Sequence, residues 1–463
     1  MLRSSVVRRG CCIHNRDITL MDRVHEHITI PLNVQRAIDT AAFQRLRSLK
    51  QLGVSSYLYP GAVHTRFEHS IGVAHIAQHL LGSIQRRQPD LRISEEDKVK
   101  VMLAGLLHDV GHGPFSHLFE DVIARRCNIP FSHEDMSQRI ARGILQGFLP
   151  LYYVEEVLAL MQGRAMPHII YSEIVSNKRN GIDVDKLDYF IRDSMCCFGK
   201  PTVDVRLNRL VNSARLVCHD GQWQFAFEEK LALSLRELFA LRAKLHKDVY
   251  QHRVVKAVGH MIGDIMHAAA PHFLVCGHTL LECATDENLL VKVGDWILEA
   301  IESSADLNLK PARDIISRLR ARDIYPLVFS RTISESVTLP SAWIDQLAND
   351  IIAEANSVGQ RDITIEDLII DLAVINHGKG SDDPLRSVLF FNPKRPSHPP
   401  FRMSSFASRR SLLFTPYAFE ERTLMVFERR DTGGVVRQAC EAVVSDKTYS
   451  TYFADSLPFY NPK

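Results

Sequence analysis

A histidine followed at once by an aspartate, His108–Asp109, stands at the end of the apolar run in Leu103–Phe119, LAGLLHDVGHGPFSHLF. Neighbouring residues on a helix point about 100° apart, so the two side chains cannot meet face to face, but both can lean toward one object beyond the helix end. A divalent cation is such an object. Imidazole and carboxylate ligate zinc, manganese, iron or magnesium, and a catalytic site leaves a coordination position for water. A core histidine satisfied by its neighbouring acid is the plainer alternative for a lone pair, and other residues weigh against it. His69 lies near the start of a second helical stretch, and Asp185 can supply another carboxylate. His112 and His117 follow on the glycine-rich turn after the pair and His133 lies further on in FSHEDM, and a pKa near neutrality suits such residues to proton donation or phosphate contact.

These groups need helices to carry them. Ser94 and Asp97 have capping-box spacing, and Val99, Met102, Leu103, Leu106 and Leu107 recur at helical intervals, so a buried helix runs into His108. Gly111, Gly113 and Pro114 end it. The segment HTRFEHSIGVAHIAQHLL predicts a helix that can pack beside it, with His69 in its first turns. Asn180–Gly181 signals a turn, after which Val184, Leu187 and Ile191 form one helical face and Asp185, Tyr189 and Asp193 a polar stripe with Lys186 adjoining. Further on, Arg242, His246 and Tyr250 repeat at four-residue spacing while Leu238, Leu241, Leu245 and Val249 hold the core. That stripe suits a polyphosphate with a sugar or base; a solvated face is the alternative.

The rest of the chain shows less chemistry. Asp17–Ile30 alternates as a strand or ribbon ended by Pro31. Leu32–Lys50 has helical spacing at Val34, Ile38, Phe43, Leu46 and Leu49, which leaves Asp39, Gln44, Arg45 and Arg47 on other faces as solvated polar groups. Val254–Ser304 and Ser341–Ala373 read as helices separated by loops. Gly378–Ser411 is an irregular excursion around a strand at Val388–Phe391, and Thr423–Glu428 alternates as another strand, so a small mixed lobe closes the chain. There is no phosphate loop of the GxxxxGK[ST] type and no GxGxxG turn. Bound phosphates must therefore be held by side chains.

At 463 residues and a formal charge of +2, the chain has no global field that would argue for nucleic acid, so any basic site is local. No apolar run approaches the roughly 18 residues that span a bilayer. Nine cysteines without a CxxC pair fit neither a zinc ribbon nor a disulfide framework, and suit a reducing compartment. Residues 1–16 carry Arg3, Arg8, Arg9 and Arg16 and no acid, the composition of a mitochondrial transit peptide or of a frayed basic terminus. Mitochondrial residence is therefore expected, with nucleus or cytoplasm as alternatives.

His69, His108–Asp109 and Asp185 in chain order form the pattern H…HD…D, which resembles the HD phosphohydrolase superfamily. The strings FQRLRSLKQLG, HTRFEHSIGV, AGLLHDVGHGPFSH, EIVSNKRNGIDVDKLDYFIRD and YQHRV are similar to the catalytic core of the SAM-and-HD-domain deoxynucleoside triphosphate triphosphohydrolases. The likeness runs from about Asp22 to Val254 and more faintly beyond, and no sterile-alpha-motif domain is expected ahead of it. It implies a mainly α fold, with a helical HD core over 17–330 and a smaller mixed α+β lobe over 331–463.

Position by position, the resemblance implies His69, His108, Asp109 and Asp185 as metal ligands, and His112, His133 and His117 as catalytic, with His112 the proton donor to the leaving group. His117, Arg66, Lys186 and Arg242 match phosphate contacts. Gln51, Tyr189, Asp193 and Tyr250 match deoxyribose contacts, with His246 on the same stripe, and Tyr250 with Leu52 excludes a 2′-hydroxyl. The implied reaction is hydrolysis of a dNTP, dGTP included, to deoxynucleoside and triphosphate. Asp39, Gln44, Arg47, Arg215 and Arg322 match an allosteric site for GTP or dGTP between the subunits of a dimer or tetramer. Ile18 and Glu228 depart from that site, where the family has a lysine and an arginine, though Lys230 is kept. Competing readings are an HD nucleotidase or phosphodiesterase, and a nucleic-acid-binding regulator with a relic HD site that uses the basic stretch Lys394–Arg410.

Overall fold

The structure is a computed structural model that describes residues 17–200, 207–335, 337–358, 362–395, 397–403 and 416–454. The basic segment at 1–16, read above for targeting, lies outside the described residues, as does 404–411 of the excursion.

A hairpin opens the described chain, β1 (Ile18–Asp22) pairing antiparallel with β2 (Glu26–Ile30). The stretch expected as one helix from Leu32 to Lys50 is broken. α1 (Leu32–Ile38) stops at Asp39, and the extended Thr40 caps α2 (Ala41–Gln44) by accepting the Phe43 N–H at 3.3 Å. A 3-10 turn over Arg45–Ser48 follows. The break also overturns the expectation that Arg45 is solvated. It is buried and donates to four carbonyl oxygens: Val110 at 2.9 Å, His112 at 2.6 Å, Leu290 at 2.8 Å and Val293 at 3.1 Å.

Two central helices carry the first half of the site. α3 (Arg66–Arg87) starts where Glu68 accepts the Thr65 N–H, and α4 (Glu95–Leu107) starts at the anticipated Ser94–Asp97 box, whose reciprocal bonds measure 3.1 and 2.8 Å. Such a cap stabilises a helix by about 1 kcal/mol. Ile71, Val73, Ala74, Ile76 and Ala77 of α3 are buried, as is every residue of α4 from Lys100 to Leu107. They cross at Gly105, where an added Cβ would lie 3.1–3.3 Å from Val73 and Ala74. This close approach brings His69 beside His108.

Around this pair lie α5 (His117–Asp121), α6 (His133–Gln146), α7 (Leu151–Met161), α8 (Val184–Phe198) and α9 (Leu207–Ser213). A hairpin of β3 (Arg215–His219) and β4 (Gln222–Glu228) follows, turned by Asp220–Gly221, both at positive φ. α10 (Ala232–Leu245) runs into a π-helical turn over His246–Tyr250, and α11 (Arg253–Ala269) follows. The small strands β5 (Leu274–Val275) and β6 (His278–Thr279) lead to α12 (Leu280–Thr285), α13 (Glu287–Leu290), α14 (Ile297–Glu302) and α15 (Lys310–Arg320).

The terminal lobe is the expected mixed unit, built around its own core. β7 (Leu327–Ile333), β8 (Leu368–Asn376) and β11 (Glu420–Glu428) form an antiparallel sheet in the order β7-β11-β8, accompanied by α16 (Trp343–Val358) and α17 (Val435–Ser445). Ser341–Ala373 is thus helical only as far as Val358, and Leu368 onward is strand. β8 pairs along its whole length with β11, and its Asp371 binds Lys256 and His260 of α11 at 2.8 and 3.0 Å. The excursion strand β9 (Leu389–Phe391) does not join this sheet. It runs parallel to β4 and pairs with β10 (Phe401–Arg402), so 384–402 returns to the helical core and the boundary at 330 is not a clean cut. No helix of the described residues is long and apolar enough to cross a membrane, and the described cysteines are free.

Candidate metal and phosphate site

α3, the C-terminal end of α4 and the first turn of α8 converge on one point. His69 Nε2 lies 3.1 Å from Asp185 Oδ1 and 3.9 Å from Asp109 Oδ2, and His108 Nε2 lies 3.4 Å from both Asp109 Oδ1 and Asp185 Oδ1. Each imidazole is oriented from behind. His108 Nδ1 donates to Gly105 O at 2.8 Å, and His69 Nδ1 faces Asp188 Oδ2 at 2.8 Å, which leaves both Nε2 lone pairs on the carboxylates' side. His108 Nε2 is buried without a hydrogen-bond partner. A polar atom left so is costly unless something else meets it. Burial opposes charge on His69, yet its bonds to Asp185 and Asp188 push its pKa up to about 10. Burial likewise opposes ionisation of Asp185, and His108 and His69 hold it well below the usual carboxylate range. The site thus demands positive charge among two imidazoles and two carboxylates, and these four residues fit a divalent cation.

The three further histidines form a block beside it. His112 stacks on His133 with ring centroids 4.0 Å apart, and His117 stands edge-on to both at 4.9 and 5.1 Å. His112 Nε2 lies 3.5 Å from Asp109 Oδ1, and His133 Nδ1 lies 2.5 Å from Glu120 Oε2. Burial and then Arg66 drive the His112 pKa well down and that of His117 to about 4, so both rings are neutral near pH 7. Arg66 pairs with Asp109 and donates to Ser116 Oγ at 2.9 Å, the hydroxyl that also donates to Lys50 O.

Cationic and hydroxyl groups continue the surface. Lys186 Nζ donates to Asp183 Oδ2 at 2.8 Å beside a cavity of about 180 Å³ that reaches His108, Asp109, His133 and Asp185. Arg242 is held by Asn376 O and Oδ1 at 2.5 and 2.8 Å. Tyr250 donates to Asp193 Oδ2 at 2.6 Å, and His64 Nε2 faces the other oxygen at 2.8 Å. His246 packs edge-on to Tyr250, and burial followed by Arg242 and His117 lowers its pKa to about 4. Tyr189 lies edge-on to His69. Gln51 bonds through its N–H to His64 O and has its Oε1 buried without a partner, and Leu52 is half-buried against the core. Of the residues expected at the metal and substrate, His108, Asp109, His133, Asp185 and Lys186 line that cavity, while Arg242, His246 and Tyr250 form a second group tied to Asp193.

The expected allosteric residues divide. Gln44 donates to Ile38 O, Arg47 donates to Gln44 Oε1, and the Arg47 guanidinium lies 3.5 Å above the Phe67 ring, with Asp39 at the adjoining end of α1. Arg322 is exposed and donates to Tyr57 O at 2.7 Å. Arg215 joins none of them within the chain. It sits over Phe391 beside an open cavity of about 610 Å³ with Trp223. Glu228, the acid in place of an arginine, is paired with Lys230, and Ile18 lies opposite Ile30 in the hairpin. Four contributing residues were not anticipated from the sequence: Asp188 behind His69, Glu120 behind His133, His64 behind Asp193, and Arg45, which binds the carbonyls of the turn bearing His112. Asp188 had a weak signal, since it falls three residues after Asp185 and four before Arg192.

Comparison with known proteins agrees with this geometry. The HD domain family matches residues 66–193. The chain is 37% identical over 378 residues to the deoxynucleoside triphosphate triphosphohydrolase SAMHD1 homolog of Dictyostelium discoideum, covering 80% of this chain and 70% of that protein. It is 32% identical over 421 residues to deoxynucleoside triphosphate triphosphohydrolase SAMHD1 of Bos taurus, with 82% and 70% covered. Against the Homo sapiens protein of the same name, identity is 31% over 423 residues, with 84% and 67% covered.

Proposed function

Because the chain belongs to the SAMHD1-type family of deoxynucleoside triphosphate triphosphohydrolases, we propose that it hydrolyses dNTPs, dGTP among them, to deoxynucleoside and inorganic triphosphate. The observation that carries this reading is the convergence of His69, His108, Asp109 and Asp185 on one point, with His108 Nε2 buried and unmet. Those four residues would hold a divalent cation, iron, manganese, zinc or magnesium. When bound, such a cation supplies Lewis acidity and a water of lowered pKa.

The chain's own residues then divide the work. Lys186, Arg242 and Arg66 neutralise the triphosphate as charge develops on it, and their present partners, Asp183, Asn376 and Asp109, hold them in place beforehand. Tyr250 and Asp193, tied to each other, hold the deoxyribose with Tyr189 and Gln51, and by family position the Tyr250 ring with Leu52 excludes a 2′-hydroxyl. His112 and His117, neutral beforehand, supply the proton carrier: a proton taken from water when the anionic triphosphate arrives is returned to the departing 5′ oxygen, His112 being the donor by family position, with His133 stacked on it. Glu120 orients the block through His133.

The finer parts of the reading are that GTP or dGTP activates the enzyme at Asp39, Gln44 and Arg47, that copies assemble into dimers or tetramers, and that the activity controls dNTP pools, in mitochondria if residues 1–16 act as a transit peptide. The Arg47–Phe67 stack supports a planar base at that place. The test is to incubate the protein with each dNTP and Mn²⁺ or Mg²⁺, with and without GTP, and to resolve the products. Intact triphosphate released by the parent and lost in Asp185→Ala supports the reaction. Single phosphate as the product means a nucleotidase, and no turnover with metal bound refutes the catalytic reading.

A further inference from the structure

The turn of the β1–β2 hairpin is joined to the metal-facing imidazole of His69 by an unbroken chain of contacts. His69 Nδ1 lies 2.8 Å from Asp188 Oδ2, and Asp188 Oδ1 lies 2.7 Å from His25 Nε2 in the hairpin turn. Arg192 donates to both Asp188 oxygens at 2.8 and 3.0 Å, and to both Asp22 oxygens at 2.9 and 3.2 Å. Asp22 Oδ1 also accepts the backbone N–H groups of Val24 and His25 at 2.8 and 2.9 Å, so one carboxylate closes the turn and receives the arginine. The side chains of Asp188, Arg192 and His69 are fully buried, and those of Asp22 and His25 are 6% and 7% exposed.

Burying so many ionisable groups is not, by itself, an efficient way to stabilise a fold. Nor is the arrangement accidental in its space. Gly72, one turn after His69 on α3, faces it, and a Cβ there would lie 2.1 Å from Asp188 Oδ1 and 2.4 Å from Arg192 Nη2. α8 alone would supply only the Arg192–Asp188 pair at four-residue spacing. The hairpin adds a donor to the Asp188 oxygen that His69 does not use, and anchors the far side of the guanidinium.

We propose that the hairpin turn is a positioning element of the metal centre, in which His25 and Asp22 lock Asp188, and Asp188 fixes His69 with its Nδ1 protonated and its Nε2 presented to the cation. This rests on the metal reading given above. A carboxylate behind a ligating histidine sets the tautomer and raises its donor strength, and losing such a partner weakens metal affinity by roughly 10–100-fold. Here the partner is itself positioned from a separate element at the start of the described chain. His25 and Asp22 therefore act on metal affinity without touching cation or substrate.

The experiment is equilibrium Mn²⁺ binding to the metal-free full chain, with an unfolding curve for each variant. His25→Ala is expected to weaken binding by roughly 10–100-fold. His25→Gln, whose amide N–H can still reach Asp188, recovers most of it, and the control Met21→Ala, at an exposed hairpin position, leaves it unchanged. At saturating Mn²⁺ the KM for dNTP stays at the parent value, while the Mn²⁺ needed for half-maximal rate rises. A folded His25→Ala that binds Mn²⁺ as tightly as the parent overturns the proposal, as does a His25→Gln as weak as the alanine variant. If His25→Ala does not fold, Asp22→Asn, which keeps the turn-closing oxygen but removes the charge facing Arg192, gives the same test with the same expected weakening. Parental affinity in that variant also overturns it. A parent that binds no Mn²⁺ removes the metal reading and the proposal together, whereas a parent that binds and a His25→Ala that binds equally removes the proposal alone.

Discussion

Arg45→Met is expected to damage both stability and turnover, although Arg45 meets the assigned catalytic residues only through the backbone carbonyl of His112. The guanidinium donates to four carbonyl oxygens, those of Val110 and His112 on the turn after the HD pair, and those of Leu290 and Val293 across the core. Leu290 O also accepts the Val293 N–H at 3.0 Å and stays satisfied, so three carbonyls lose their partner. An unsatisfied buried acceptor costs about 1–3 kcal/mol, which gives roughly 3–9 kcal/mol for three. Removing the arginine also removes its own cost of burial, a cost seen in a pKa driven down to about 9. The lower end, about 3 kcal/mol, is therefore the expected loss in chemical unfolding followed by tryptophan fluorescence. Turnover should fall by roughly 100-fold, because the freed turn lets His112 shift relative to Asp109, and displacements of about 1 Å carry that cost. A variant with the parent's unfolding midpoint and kcat would show that water replaces the guanidinium without consequence, and the turn would then be held by its glycines and by Ser137, which accepts the Gly111 N–H.

Two further outcomes follow from the site. Leu52→Ala should raise hydrolysis of ribonucleoside triphosphates relative to dNTPs, because it opens space where Tyr250 and Leu52 are assigned to exclude the 2′-hydroxyl; an unchanged ratio of kcat/KM would remove Leu52 from that role. Stability should fall on both sides of neutrality. His246 is neutral in the fold, with a pKa near 4 against an ordinary 6.5, so the unfolded chain binds more protons as pH falls through that window and stability is lost. His64 has the opposite sign: burial opposes its charge, but Asp193 and Cys196 raise its pKa to about 9, so its contribution is complete below pH 6.5 and lost as pH rises through about 9. Unfolding midpoints against pH check this, and His64→Gln should flatten the alkaline limb alone.

What could be read in advance was what local spacing dictates. The Ser94–Asp97 box and the apolar period that follows it fix where α4 ends, and so where His108 and Asp109 emerge. The Asn180–Gly181 turn similarly places Asp185 in the first turn of α8. Local spacing misleads where one residue can serve two patterns. Thr40 is tolerated within a helix but caps α2 better, and the break turns Arg45 inward when the unbroken period put it outside. Leu368–Asn376 has too many apolar residues for its period to separate a buried helix from a strand, and pairing with β11 decides. The Asp220–Gly221 turn of the β3–β4 hairpin leaves a readable signal in HDGQW, a two-residue turn with both residues at positive φ.

The residues that escape sequence reading here share a property: each acts through another. Asp188, Glu120, His64 and Arg45 face, respectively, His69, His133, Asp193 and the turn of His112, and all four partners were visible from their spacing. A ligand or phosphate contact must stand on a face that points into a cavity, and that requirement leaves a periodic trace. An orienting residue has only to reach one atom from behind, and it can do so from the next helix, a hairpin or a 3-10 turn. Its position is set by tertiary packing that no window of sequence contains. For the same reason substitution of these residues is expected to change metal affinity or turnover while every ligand is kept. His25 and Asp22, remote from Asp188 and Arg192 in the chain and bonded to them in the fold, are the strongest instance, because they make a cation's hold on this protein depend on a hairpin that lies outside the HD segment itself.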